Sequence, residues 1–325
     1  MRITVLSGGI GGATFVRGLL DEVGDDAEVT VVGNTADDIW LFGLKVCPDL
    51  DTLMYTLGGG IDAERRWGRS DETWSVKEEL AAYGAQPTWF GLGDRDVATH
   101  LVRTQMLQAG YALSDVTRAL CVRWQPGVTL LPMSDERVET HVVVEDGDQR
   151  RAIHFQEYWV RHRAAVPAHD VVMIGIDEAK PAPGVLEAIA EADVVLVPPS
   201  NPVVSVGPIL AVAGVADALR ATRAPVVGVS PIIGGGAVRG MADQLLTALG
   251  VEVSAGAVGA RYGARTAGGL LDGWLVDTAD ADQVAALEGS GLVARAVPLY
   301  MSDPATTRTL AADSLALARE IGAAR

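Results

Sequence analysis

The opening stretch constrains the fold of this chain more than any other part. The apolar run Arg2-Ile3-Thr4-Val5-Leu6 enters Ser7-Gly8-Gly9-Ile10-Gly11-Gly12. Residues 13–23 then read as a helix with Phe15, Leu19, Leu20 and Val23 near one face. Residues 28–32 form a second apolar run, ending in Gly33-Asn34-Thr35. Strand, glycine turn, helix and strand make a βαβ unit, so the chain opens as an α/β domain with a parallel sheet. Glycines at such a turn let backbone N–H groups approach an anion at the helix N-terminus. The bland alternative is a tight turn with no ligand.

The spacing excludes two common nucleotide signatures. From Gly9 the chain reads Gly-x-Gly-x-x-Thr, with Thr14 where a third glycine would complete a dinucleotide fingerprint. Asn34, not an acidic residue, ends the second strand. No Gly-Lys-Ser/Thr follows, so this is not a Walker loop. A nicotinamide-dependent oxidoreductase is therefore the weaker enzyme reading, and a nucleotide-sensing module without catalysis is the non-enzyme alternative.

Further along, residues 170–176, 193–197 and 225–229 are short apolar runs that predict buried parallel strands. Helical patterns lie at 183–191 and 206–220, and residues 306–321 predict an amphipathic terminal helix. Alternation around Val142-Val143-Val144 predicts antiparallel strands with a turn at Glu145-Asp146-Gly147-Asp148. Residues 49–120 differ, with helical stretches at 73–83 and 96–109. The expected architecture is α/β: a Rossmann-like, doubly wound, mostly parallel core at 1–48 and 121–325. A smaller, mainly helical insert or cap occupies 49–120.

Composition narrows the function. Hydrophobic residues make up 49% of the 325, which excludes a disordered acidic chain. No apolar run approaches the roughly 20 residues of a membrane helix, and a strand begins at Arg2, so a soluble cytoplasmic protein without a membrane partner is expected. Cys47 and Cys121 fit free thiols in such a compartment. With 42 acidic against 26 basic residues the net charge is -16, which repels nucleic acid. A phosphate-bearing substrate would then call for a divalent cation.

The polar loops follow the strands. Asn34-Thr35-Ala36-Asp37-Asp38 sits at the carboxyl end of the second strand, where adjacent carboxylates suit a shared magnesium ion or cap a helix starting at Ile39. Asp51, ahead of an apolar helix start, fits either role. Trp89-Phe90-Gly91-Leu92-Gly93-Asp94-Arg95-Asp96 places two aromatic rings beside a charged turn, ahead of a helix carrying His100 and Arg103, an arrangement that suits a flat ligand with polar edges. Phe155-Gln156-Glu157-Tyr158-Trp159-Val160-Arg161 reads as a cover for such a ligand or as an edge strand. Pro198-Pro199-Ser200-Asn201 through Ser205 and Gly207, and Ser230-Pro231-Ile232-Ile233-Gly234-Gly235-Gly236, each follow a predicted strand. Three strand-end loops rich in Gly, Ser and Asn on one rim describe an extended phosphate-bearing ligand.

Taken in order, SGGIGG at 7–12, NTADD at 34–38, WFGLGDRDVATH at 89–100, FQEYWVR at 155–161, PPSNPVVSVGPIL at 198–210 and SPIIGGGAVRG at 230–240 resemble the 2-phospho-L-lactate transferase family of deazaflavin coenzyme biosynthesis, nearest its mycobacterial branch. The resemblance spans roughly residues 1–320. It implies a magnesium-dependent transferase, usually a homodimer. The family joins a guanosine-diphosphate-linked three-carbon acid to the ribityl chain of 7,8-didemethyl-8-hydroxy-5-deazariboflavin and releases GMP. The actinobacterial branch implies an enolpyruvyl unit and the dehydro form of the coenzyme precursor, with a lactyl unit as the alternative. Ala36 stands where family members often carry glycine.

On this reading Asp37 and Asp38 hold magnesium, and Asp51 or Asp94 orients or deprotonates the acceptor hydroxyl. Asp51, Trp89, Arg95 and His100 face the deazaflavin. The donor and its phosphates fall to Gly9, Gly11, Gly12, Asn34, Ser200, Asn201, Ser205, Gly207, Ser230, Gly234 and Gly235.

Overall fold

In the computed structural model, which describes residues 1–147, 149–238 and 240–324, the N-terminal βαβ unit forms two interior strands of a seven-stranded parallel sheet. β1 (Arg2–Ser7) leads into α1 (Ile10–Val23) and β2 (Glu28–Gly33). A hairpin of β3 (Ile39–Leu41) and β4 (Leu44–Val46) follows, then α2 (Pro48–Leu57), α3 (Ser75–Ala82), α4 (Asp94–Gln108) and α5 (Leu113–Trp124). β5 (Thr129–Pro132) returns to the sheet. β6 (Glu139–Asp146), β7 (Gln149–His154) and β8 (Ala168–Ile174) form a separate antiparallel sheet. The α/β alternation resumes with α6 (Val185–Ala190), β9 (Val194–Val197), α7 (Val206–Ala211), α8 (Val215–Ala221) and β10 (Val226–Val229). The small hairpin β11 (Ile232–Ile233) and β12 (Gly236–Ala237) precedes α9 (Ala242–Ala248), α10 (Ala255–Tyr262), β13 (Gly273–Val276), α11 (Val284–Gly289), β14 (Val293–Ala296) and α12 (Pro304–Ala323).

The sheet order is β14-β13-β10-β9-β1-β2-β5, with every neighbouring pair parallel. The chain winds outward from β1 to β5 on one side and from β9 to β14 on the other. Its direction therefore reverses between β1 and β9, and ligand crevices open at the carboxyl ends of strands flanking such a reversal.

Side-chain alternation along the strands separates two cores. In β9, Val194 and Leu196 face one layer with Phe15 of α1, Leu53 of α2 and Leu310 of α12. Val195 and Val197 face the other, with Val206 of α7, Leu219 of α8 and Leu245 of α9. Strands buried on both faces read as continuous apolar runs, which is why β9, β10 and β13 are buried along their whole length. α2 and α5, both within the expected insert, contribute Leu50, Met54 and Leu113 to the first layer. The hairpin β3/β4 packs separately, through Leu41 and Val46, on Leu92.

Three local expectations differ from the structure. The run at 170–176 is not a parallel strand. β8 lies at the edge of the antiparallel sheet, with Val172 and Ile174 exposed, because its apolar residues cover only one core face. No helix starts at Ile39, so Asp37 and Asp38 do not cap one. The pattern at 206–220 is two helices, broken where Gly214 takes φ +86°. The turn predicted at 145–148 includes Asp148, outside the described residues, and the flanking strands pair as far as Asp146 with Gln149. Ala36, in place of the family glycine, is buried in the second core, and its N–H donates to Asn34 Oδ1 at 3.0 Å.

Among the described residues no helix is long and apolar enough to cross a membrane. Cys47 and Cys121 are free thiols, and burial pushes both above their ordinary range, Cys121 to about 11.

Candidate active site

A cavity of about 740 Å³ opens at the reversal point. Gly9, Ile10 and Gly11 at the start of α1 form one side, and Pro199 to Asn201 after β9 form the other. The glycines are required by close approaches across the turn. A Cβ on Gly9 would lie 2.5 Å from Asp49 Oδ1, and one on Gly11 would lie 2.6 Å from the Pro199 carbonyl. A Cβ on Gly12 would meet Ser7 Oγ at 1.8 Å, and Gly12 packs inward, off the cavity wall. Gly8 N–H donates to Ser200 Oγ at 3.3 Å, which ties the two loops together.

Two carboxylates, Asp37 and Asp49, line the cavity beside this turn. Asp37 is only 4% exposed, and its Oδ1 has no hydrogen-bond partner. Burial, with Asp49 and Asp38 nearby, raises the Asp37 carboxyl well above its ordinary range. Burial also lifts Asp49, to about 6, although Asn34 donates to its Oδ2 at 2.9 Å. The sequence reading missed Asp49. Its signal was Cys47-Pro48-Asp49, with a proline opening a helix and a carboxylate in the first turn.

The expected Asp37/Asp38 pair divides. Asp38 points away from the cavity to Lys45 Nζ at 3.1 Å, and both are almost fully buried. Burial raises the Asp38 carboxyl, partly offset by Lys45; burial opposes the charge on Lys45, but Asp38 and Cys47 together raise it. Asp38 is therefore ion-paired to the hairpin and does not line the cavity, although neither of its oxygens has a hydrogen-bond partner. Behind it, His154 Nε2 donates to the Asp38 carbonyl at 3.1 Å, and His154 Nδ1 accepts from Gln156 N at 3.0 Å. Burial lowers His154 to about 4, so the ring is neutral and its tautomer is set.

Asn34 is wholly buried and does not line the cavity. Its amide nitrogen donates to Asp49 Oδ2 and to the Val204 carbonyl at 3.2 Å. It joins the β2, α2 and β9 loops instead of offering a group to a ligand.

A second polar group lies between α2 and α4. Asp51 and Tyr55 sit one turn apart on α2, while Asp96, His100 and Arg103 share a face of α4. The Arg103 guanidinium grips Asp51 through both nitrogens, with Nη1 at 3.1 Å from Oδ2. Tyr55 Oη donates to Asp96 Oδ1 at 2.6 Å, and His100 Nε2 is 3.3 Å from Asp96 Oδ2. Burial opposes ionisation of Asp96, but His100, Tyr55 and Arg103 outweigh it and lower its carboxyl. Burial, Asp51 and Asp96 raise the Tyr55 phenol well above its ordinary range. Asp51, Tyr55, Asp96 and His100 line the cavity.

The other predicted residues separate by location. Ser200, Asn201, Ser205 and Ser230 line the cavity. Asn201 Oδ1 accepts from Val203 N at 2.9 Å and Val204 N at 3.2 Å, and Ser230 Oγ is engaged on both sides by Ile232. Gly207 lies off the wall, close to the Pro202 carbonyl. Gly234 and Gly235 are the two central residues of the β11/β12 hairpin, at φ +58° and +80°, a backbone that favours glycine. Neither lines the cavity.

Asp94 is outside the cavity as well. It accepts from Thr73 Oγ1, Ser75 N and Val76 N, so it holds the start of α3. Arg95 reaches Ser70 O and Asp71, and Trp89 packs edge-on against Phe90. The aromatic wall comes instead from Trp67, Phe90, Phe155, Trp159 and Tyr300.

The residues present fit a magnesium ion in one way. Among those described, no cluster of three or more His, Cys, Asp or Glu side chains could hold a metal, which leaves out an all-protein cage. Magnesium usually takes only one or two carboxylates and fills its shell with water and substrate phosphates. The unpartnered Oδ1 of Asp37, next to the Asp49 carboxylate, meets that need.

The chain is similar to known proteins along nearly its whole length. The model of the family described as "2-phospho-L-lactate transferase CofD" matches residues 3–297. A "Phosphoenolpyruvate transferase" from Kitasatospora aureofaciens is 65% identical over 321 residues, covering 99% of each chain. Proteins of the same description from Streptomyces coelicolor and Mycobacterium sp. (strain JLS) are 63% and 58% identical, covering 99% and 98% of this chain and 99% of their own. A crystal structure of a UPF0052 family protein from Bacillus halodurans superposes with a TM-score of 0.61 at 18% identity, over 96% of this chain and 99% of that one, and so shares the fold.

Proposed function

Because this chain belongs to the 2-phospho-L-lactate transferase CofD family, we propose that it transfers a phosphoenolpyruvyl group from a guanosine-diphosphate-linked donor to the ribityl hydroxyl of a deazaflavin, releasing GMP. The chain is a transferase of deazaflavin coenzyme biosynthesis by its family and its 58–65% identical relatives. The observation that carries the specific reading is one cavity with two kinds of wall. The glycine turn and serine loops suit a diphosphate, the Asp37/Asp49 pair suits its magnesium counter-ion, and Trp67, Phe90 and Trp159 suit a flat ring system.

In the reaction the hydroxyl oxygen attacks the phosphorus remote from guanosine, the bond to GMP breaks, and the hydroxyl proton is lost by way of Asp51 to solvent. Catalysis then consists mainly of alignment and charge stabilisation. The start of α1 turns N–H groups toward the phosphates, and Asp51 accepts a hydrogen bond that orients the hydroxyl. Magnesium, held by Asp37 with Asp49 beside it, would supply neutralisation of the phosphate charge. The working form in this reading is a cytoplasmic homodimer.

The test is an assay of purified protein with magnesium, the deazaflavin alcohol and equal amounts of enolpyruvyl and lactyl guanosine-linked donors, read by mass spectrometry. Phosphodiester with GMP is expected, with the unsaturated product in excess. An excess of the saturated product would reassign the donor. Nicotinamide reduction, or nucleotide binding with no product, would overturn the reading.

A further inference from the structure

Arg103 is only 2% exposed and does not line the cavity, yet it touches two residues that do. A buried cation survives only with its hydrogen bonds met, and the partners it uses reveal its role. Elsewhere in the fold, Arg265 spends its donors on the carbonyls of Leu219, Thr222 and Ala224 and on Asp272, none of them on the cavity wall. That arginine is a structural clamp. Arg103 gives one contact to a backbone carbonyl, Lys45 O at 3.3 Å, and the rest to the side chains of Asp51 and His100.

We propose that Arg103 is a positioning residue for the transfer reaction, fixing from beneath the cavity wall both the Asp51 carboxylate and the tautomer of His100. The inference rests on the transferase reading above. Its basis is the direction of the hydrogen bonds. A guanidinium has five N–H donors and no acceptor. Arg103 Nη1 lies 3.1 Å from His100 Nδ1, so Nδ1 accepts and cannot carry the proton. The ring is therefore the neutral Nε2–H form, and Nε2 faces Asp96 Oδ2 at 3.3 Å. Tyr55 donates to the other oxygen of Asp96. Arg103 thus sets the Asp51 carboxylate and the accepting Nδ1 of His100 directly, and leaves Nε2 close to Asp96 but without a hydrogen bond. Lysine offers a point charge in place of the fork and cannot hold both partners.

The test compares the full-length wild type with Arg103→Lys and Arg103→Ala, each checked for folding by circular dichroism. Arg103→Lys should lower kcat about tenfold or more while the KM for donor stays within about twofold, because a displaced reacting group loses alignment and not donor affinity. Guanidinium ion should restore activity to Arg103→Ala and not to Asp51→Asn. Nitrogen NMR of labelled histidine, with His100 identified through His100→Asn, should show the Nε2–H tautomer in the wild type and its loss in Arg103→Lys. Should Arg103→Ala fail to fold, the lysine variant and the NMR measurement still decide. An active wild type with undiminished kcat in folded Arg103→Lys, or a wild-type His100 protonated at Nδ1, would overturn the inference alone. A wild type without transferase activity would overturn the functional reading and this role with it.

Discussion

Asn34 Nδ2 donates to Asp49 Oδ2 across 2.9 Å, and through that bond the end of β2 sets where the first turn of α2 places its carboxylate. The same amide holds the Val204 carbonyl and accepts from Ala36 N–H. Asn34→Ala removes all three contacts from a buried site, so a loss of about 2–3 kcal/mol is expected in urea titration. Activity should fall as well, since Asp49 and the Asp37 loop lose their common anchor. A variant with wild-type stability and turnover would show that the bond positions nothing.

Asp37 and Asp38 should respond differently to the same substitution. Asp37→Asn should cut turnover sharply and leave the fold intact, because its Oδ1 has no partner to lose. Asp38→Asn leaves Lys45 buried without its counter-charge and should cost about 3 kcal/mol in stability. Thermal melts beside activity assays separate the two effects. Equal behaviour of both variants would rule out the division.

Two buried groups give opposite pH signatures in magnesium-free buffer. The folded Asp49 carboxyl titrates at about 6 against an ordinary 3.8, so the fold binds the extra proton. Its contribution is full below pH 3.8 and is lost as pH rises through about 6. His154 is lowered from 6.5 to about 4, so its contribution is present above 6.5 and is lost as pH falls through about 4. Wild-type stability minus that of Asp49→Asn should fall with rising pH in the first window. The difference from His154→Gln should rise with pH in the second. Denaturant midpoints at stepped pH provide the check, and a flat difference for either variant removes that assignment.

The glycines predicted to bind phosphate should divide into two classes. Gly9→Ala drives a methyl into Asp49 and should nearly abolish transfer. Gly234→Ala and Gly235→Ala strain a hairpin turn whose two glycines do not themselves line the cavity, costing about 1 kcal/mol each with kcat largely kept. Steady-state kinetics with melts on all three variants measures this.

The sequence by itself determined the α/β class and the terminal βαβ unit, because strand and helix periodicities are local and the glycine turn marks their junction. It also determined the ordered loop motifs that mark the family. It identified Asp37, Asp51, Ser200 and Asn201 as polar residues near element ends and His100 on a helix, and all five line the cavity. Only the tertiary structure decided which neighbours share that wall. Asp38, Asn34 and Asp94 look as available as Asp37 along the chain, yet each is consumed by a partner 7 to 170 residues away in sequence, such as Lys45 for Asp38 and Val204 for Asn34. Asp49 and Arg103 show the converse: in the sequence reading the first has no role, and the second has only a place on the helix that carries His100. Packing α2 against the glycine turn and against α4 turned the first toward the cavity and buried the second beneath it. Periodicity records which face of an element is apolar, but pairing between polar groups depends on long-range approach, and no local pattern encodes that.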